Sequence, residues 1–270
     1  MPPRNKNILI VSYFFPPMGL GGVQRAAKTA KYFARDGWNV HVLTCNPDSF
    51  PIQDRSMMED MPDEVEIIHI DDPVAKRANL PAEDNYVLKG KSDLIRRMVQ
   101  VPDSKKFWAD KASKTAEKIV REHSIDYLIT TSPPPSVHII GLHLKRMMEI
   151  KWLADFRDPW FAESKKPLTF MHKSLHENLE KNIIQTADII TCVTSLHVDD
   201  LKDRFADFRN KIHHILNGFD SEDFEGVKQF FPDKLVIAHG GTLCSPHTIE
   251  PFFEALTELE DDIRGQIEFW

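Results

Sequence analysis

Two short segments hold side chains whose types and spacing could do chemistry on a charged ligand. The first is Gly19-Leu-Gly21-Gly22, directly before a run with helical spacing, Val23–Ala34. Glycines let a ligand approach the backbone, and the first turn of a helix offers unpaired N–H groups, so a phosphate or diphosphate fits there. A tight turn without a ligand satisfies the same spacing, and from spacing alone the two readings stand level. The second segment is Asp155-Phe-Arg157-Asp158-Pro-Trp160. Here two carboxylates flank one guanidinium. Such a group can clamp a phosphate or a developing charge, or it can be an ion-pair knot that fixes a loop. A metal at Asp155 and Asp158 ranks behind both, because two acids with no histidine or third acid nearby make a poor site.

Several chemistries are excluded or disfavoured. The glycine pattern is not the Gly-x-Gly-x-x-Gly fingerprint, and the next strand ends Leu43-Thr44-Cys45-Asn46, without an acid for a ribose hydroxyl. NAD is disfavoured on that ground. There is no Gly-x-x-x-x-Gly-Lys-Ser/Thr loop and no Gly-x-Ser-x-Gly elbow. Cys45, Cys192 and Cys244 are far apart with no Cys-x-x-Cys, so neither a disulfide framework nor a structural zinc site is expected. Cys192, inside an apolar strand, reads as inert packing. His213 and His214 are neighbours on an expected strand and point to opposite faces, so they are not joint ligands.

The elements that must position these residues follow from periodicity. Ile8–Val11 is a short apolar run of the kind buried on both faces of a parallel sheet. A loop rich in proline and glycine follows, then the helix, Asp36-Gly37 as its stop, and an alternating strand over Trp38–Thr44. That is a βαβ unit. The rhythm continues with strands at Val65–Ile70, Ile125–Thr130, Lys151–Phe156, Ile189–Val193 and Lys211–Leu216. The interposed helices are Lys111–Glu122, Val137–Met148, His172–Ala187 and Ser195–Phe205. Asp71–Trp108 lacks clear periodicity and reads as a loop with one short helix near Ser92–Val99. The expectation is a doubly wound α/β domain over residues 1–220, a polar linker over 221–233, and from 234 to 270 the opening of a second, truncated α/β domain. In open parallel sheets ligands sit beyond the carboxyl ends of the strands, which is where both chemical segments fall.

Composition sets the class. The chain has 270 residues, 41% hydrophobic and 28% charged, ordinary for a soluble globular enzyme. With 41 acids against 34 bases, net −7, it is not built as a dedicated nucleic-acid binder. No apolar run reaches the ~20 residues of a membrane span, and the polar start is no signal peptide, so a reducing, cytoplasmic location is expected. Lys89, Lys91, Arg96, Arg97, Lys105 and Lys106 lie amid Leu94, Ile95, Val99 and Trp108. Such a run is a solvated face or, as the sharper reading, a patch touching a membrane surface.

Taken in order, these segments resemble the N-terminal half of a GT-B glycosyltransferase of the family 4 type. The resemblance runs through Ile8–Pro17, Gly21-Gly22-Val-Gln-Arg25, Thr131-Ser-Pro-Pro-Pro, and Trp152 to Trp160. It continues through Glu180 before Ala187-Asp188, Ile215-Leu-Asn217-Gly218-Phe-Asp220, and His239-Gly240-Gly241-Thr242. It implies two Rossmann-like domains across a cleft, a nucleotide-diphosphate sugar as donor, a glycan or lipid-linked acceptor, retention of configuration, and no metal or other cofactor. It implies that Gly21 and Gly22 approach the donor diphosphate, that Gly240, Gly241 and Thr242 close on the same phosphates, and that Asn217 lies at the crossover. Arg157 and Asp158 stand where many members carry a histidine. Arg157 would orient or neutralise charge, and Asp155 or Asp158 would hold acceptor hydroxyls. The family's Glu-x7-Glu element belongs further along the second domain, beyond Trp270, so the isolated chain is expected to be inactive. The alternative is a non-catalytic short form that binds an acceptor or a partner.

Overall fold

The computed structural model describes residues 6–19, 21–50, 52–74, 98–161, 169–228, 231–240 and 249–270. Gly241, Thr242, Cys244 and most of the helix expected near Ser92–Val99 lie outside them. The chain divides into two compact units, Met1–Phe219 and Asp220–Trp270.

The first unit alternates strands and helices. They are β1 (Asn7–Ser12), α1 (Gln24–Arg35), β2 (Asn39–Cys45), α2 (Ser56–Glu59), β3 (Glu66–Ile70), α3 (Lys106–Glu122) and β4 (Tyr127–Ser132). Then come α4 (Val137–Met147), β5 (Lys151–Phe156), α5 (Phe170–Thr186), β6 (Ile189–Cys192), α6 (Ser195–Arg204) and β7 (Ile212–His214). The strands form one seven-stranded sheet in the order β3-β2-β1-β4-β5-β6-β7. Every neighbouring pair is parallel. The order reverses between β1 and β4, which opens the crevice where such sheets take ligands.

Both faces of the sheet are buried, as continuous apolar strands require. Ile8 and Ile10 pack with Ala26, Ala27 and Ala30 of α1 on one face. Leu9 and Val11 pack with Trp108, Ala112 and Ile140 on the other. Helix α4 lies so close to β5 that a Cβ on Gly141 would fall 2.2 Å from Cε2 of Trp152. Glycine is therefore a packing requirement at that position. Thr169 and Thr194 cap α5 and α6, accepting hydrogen bonds from the N–H groups of His172 and His197.

The expected α/β class holds. Helix α3 starts earlier than periodicity indicates, at Lys106 instead of Lys111. Asp103 sets that start: its Oδ1 accepts from Lys105 N at 2.8 Å, and its backbone carbonyl accepts from Lys106 N. The end of the basic run is also reassigned. Trp108 is fully buried, Lys105 lies 3.4 Å from the buried Asp72, and Lys106 pairs with Asp110, so these residues serve the fold. The last strand contracts to Ile212–His214, with both histidines exposed.

The second unit contains β8 (Leu235–Ile237), α7 (Glu250–Thr257), α8 (Asp261–Arg264) and β9 (Ile267–Phe269). Strands β8 and β9 pair in parallel. Among its described residues no apolar side chain is buried. No helix among the described residues is long and apolar enough to cross a membrane.

Candidate functional site

Register builds the site at the carboxyl edge of the first unit's sheet. Thr131 of β4, Asp155 of β5 and Thr191 of β6 are Cα partners in one row. Side chains in one row share a face. The Thr131 hydroxyl therefore donates to Asp155 Oδ2 at 2.8 Å, and the Thr191 hydroxyl donates to Oδ1 at 2.7 Å. Arg25, in the first turn of α1, donates Nε to Oδ2 and Nη2 to Oδ1, both at 2.9 Å. Asp155 is 5% exposed and accepts four hydrogen bonds. Burial pushes its carboxyl up, but the hydrogen bonds and charge of Arg25, with those of Thr191 and Thr131, hold it below the ordinary value.

Two expectations for this residue change. Asp155 has no lone pair left over for an acceptor hydroxyl, because the neighbouring strands and α1 occupy them. It is the ion-pair knot, and its arginine is Arg25 rather than Arg157. Arg25 also donates Nη1 to the carbonyl of Leu216 at 2.9 Å and to Asn217 Oδ1 at 3.3 Å. One guanidinium thus joins α1, the end of β5 and the segment after β7. Sequence reasoning missed this role. The available signal was a cation in the first turn of a helix, where the macrodipole disfavours it and a strong partner must be near.

Arg157 is placed differently. Its Nε donates to the Ser132 carbonyl at 2.6 Å and its Nη1 donates to the Gly22 carbonyl. Its Nη2 is buried and has no acceptor among the described residues. Burial lowers its pKa, while Asp155 and Asp158 act in the opposite direction. Asp158 itself is exposed. Arg157 therefore ties the end of β4 to the loop before α1 and keeps its Nη2 donors in hand.

The glycines divide into two kinds. A Cβ on Gly19 would meet Ile52 Cγ2 at 2.9 Å and Asp54 N at 3.2 Å, so this glycine serves the fold. Among the described residues, a Cβ on Gly21 would meet nothing within 4 Å, and one on Gly22 would meet only the Arg157 guanidinium at 3.7 and 3.9 Å. Neither has a left-handed φ. Among the described residues no side-chain contact or backbone angle requires glycine at 21 or 22. Gly240 is exposed in the second unit.

The floor of this edge is neutral. His138, in the first turn of α4, is fully buried, and burial pushes its pKa down to about 3. Thr130 Oγ1 bridges its Nδ1 at 2.7 Å and Trp152 Nε1 at 2.9 Å, and the ring stacks on Phe156. Trp160, after the Arg-Asp pair, is buried and donates Nε1 to His176 Nδ1 at 3.2 Å. His176 in turn meets His172 one turn away on α5, Nε2 to Nε2 at 3.2 Å.

A doubly wound parallel sheet of this strand order is the frame of a GT-B transferase domain. The Glycosyltransferase Family 4 model matches residues 20–223, and the chain belongs to that family. No curated protein matches the sequence. Among solved structures, the chain is similar to a glycosyltransferase from Rickettsia africae, with TM-score 0.53 and 13% identity over 98% of this chain and 68% of that one. It is also similar to the lipopolysaccharide outer core galactosyltransferase WaaB, with TM-score 0.50 and 11% identity over 98% and 67%. A third is UGT2 of Phytolacca americana, solved with UDP-2-fluoro-glucose and pterostilbene, with TM-score 0.50 and 10% identity over 91% and 62%. At such identities the likeness is one of fold. The chain spans about two thirds of these proteins' lengths.

Proposed function

We propose that the carboxyl edge of the first unit is the acceptor side of a retaining glycosyltransferase site. A nucleotide-diphosphate sugar would place its diphosphate against Gly21, Gly22 and Arg157. One observation carries this reading. Among the described residues, the buried Arg157 Nη2 has no acceptor and stands beside Gly22, and neither Gly21 nor Gly22 is required by a packing contact. A buried donor left unpaired costs about 1–3 kcal/mol, and an anion there removes that cost. The negative charge that grows on the departing diphosphate would be met by Arg157 and by the N–H groups opening α1, so the reading needs no metal. Asp158, exposed beside Arg157, would hold hydroxyls of a glycan or lipid-linked acceptor. Asn217, Gly240, Gly241 and Thr242 are proposed donor contacts on the family resemblance alone. Asp155 and Arg25 position this edge without touching substrate.

We further propose that the 270-residue chain does not turn over by itself. The support is the second unit, among whose described residues no apolar side chain is buried, so those residues form no packed core of their own. The test is a transfer assay with a panel of nucleotide sugars and glycan or polyprenol acceptors, run on this chain and on the complete product of its gene. The reading expects an anomer-retained product that Arg157→Met abolishes, and none from the chain alone. Transfer unaffected by Arg157→Met would contradict it, and no transfer from either protein would favour a non-catalytic binding module.

A further inference from the structure

We infer that His41, Glu66 and His123 form a site for a single zinc-type divalent cation at the amino edge of the sheet, opposite the proposed transferase edge. Strand register brings the first two together: His41 of β2 and Glu66 of β3 are Cα partners. The end of α3 supplies the third, because His123 caps that helix just ahead of β4. His41 Nδ1 lies 2.8 Å from Glu66 Oε2, and His123 Nε2 lies 4.0 Å from the same oxygen. One ligand atom from each residue falls within 4.8 Å of the other two. Nitrogen and oxygen ligands bound at about 2.0–2.1 Å to a tetrahedral zinc sit roughly 3.3 Å apart. The observed spacings bracket that value, so small side-chain rotations close the site.

The surroundings fit a ligand set. The two imidazole rings lie side by side, tilted by 49°, with centroids 4.2 Å apart. The His41 side chain is 10% exposed, while those of Glu66 and His123 are 52% and 36% exposed, which leaves a path from solvent and an open fourth position. The backbone that presents His123 is held firmly. Asn7 Nδ2 donates to the carbonyls of His123 and Ser124, and Asn39 donates to Asn7 Oδ1. Ser124 has φ 50°, a left-handed conformation that favours glycine, so the turn after His123 keeps a costly shape. Two imidazoles and one carboxylate suit zinc, whereas magnesium and calcium want oxygen ligands. A bound ion would clamp α3 to β2 and β3 far from the transferase chemistry.

The test is calorimetric titration of zinc chloride into the tag-free, chelator-stripped chain, repeated with His123→Gln, Glu66→Gln and His214→Gln. These side chains are all at least one-third exposed, so the variants should keep the fold, checked by circular dichroism. The inference expects one zinc per chain, binding weakened tenfold or more by His123→Gln and by Glu66→Gln, no change with His214→Gln, and no heat from magnesium. Substitution by cobalt should give visible absorption that His123→Gln abolishes. Absence of zinc binding, or binding that both the His123 and the Glu66 variants retain, would overturn it and leave His41 and Glu66 as a plain hydrogen-bonded pair.

Discussion

Asp155 and Glu180 are both buried carboxylates beside an arginine, yet their pKa values lie on opposite sides of the ordinary one. Asp155 ends a central strand, and its neighbours in register each supply a hydroxyl while α1 supplies a two-pronged guanidinium. Glu180 lies within α5 and meets Arg204 of α6, whose side chain is 38% exposed, while its Oε1 is buried with no partner among the described residues. Burial pushes Glu180 up to about 7, with Arg204 opposing. Depth in the protein is similar at the two positions, so the number of donors decides the outcome. A sheet edge gathers donors from two neighbouring strands and a helix at once, whereas the helix face at Glu180 depends on a single neighbour. Asp155 is for that reason a fixed strut, and Glu180 is a group that titrates.

The largest effect should come from Asp155→Ala. It strands Arg25 and two buried hydroxyls, and removing one partner of such a pair costs about 3–5 kcal/mol. Urea unfolding at pH 7 measures this, and a loss below 1 kcal/mol would break the contrast with Glu180. The acid limb follows with its sign: the folded pKa of Asp155 is depressed, so its contribution is complete above the unfolded value and fades as pH falls below it.

Glu180→Gln should act in the opposite direction. The folded pKa is raised, so the wild-type chain binds more protons folded than unfolded between the ordinary carboxylate value and about 7. Its stability therefore falls across that window, by on the order of 3 kcal/mol at most, and is level above it. Glutamine removes this slope. The urea midpoint of the variant relative to wild type should be higher at pH 8 than at pH 4, and parallel curves would show that Glu180 titrates normally.

Thr191→Val should cost about 1 kcal/mol, the net worth of one hydrogen bond, and should raise the Asp155 pKa detectably by NMR. Smallest of all, Gly21→Ala should change stability by under about 0.5 kcal/mol, because its Cβ meets no atom of the described residues within 4 Å. Gly19→Ala at the same loop should destabilise clearly, because its Cβ meets Ile52 and the Asp54 backbone.

Much of the fold was legible because local patterns carry it. Ile8–Val11 reads as a strand from its own residues, and α1 from the spacing of its alanines. The start of α3 was hidden because Lys105, Lys106 and Phe107 show no period until Asp103 is seen folding back on their amides. In the site, Asp155 and Arg157 were visible as types at a spacing, but their partners were not. Arg25 is 130 residues from Asp155, and only the packing of α1 against the sheet edge brings them together. The same limit hid the pairing of His41 with Glu66 and the unpartnered oxygen of Glu180, which depend on contacts between elements.

The most direct test of the transferase reading is a proton–nitrogen NMR titration of the chain with UDP, GDP and ADP. It should follow the amides of residues 21–25 and the Nε–H of Arg157. The account predicts that at least one nucleoside diphosphate shifts Gly22, Val23 and Arg157 together, saturably, and that Arg157→Met removes the response. Saturable binding that leaves those resonances in place, or no response to any of the three at millimolar concentration, would contradict it.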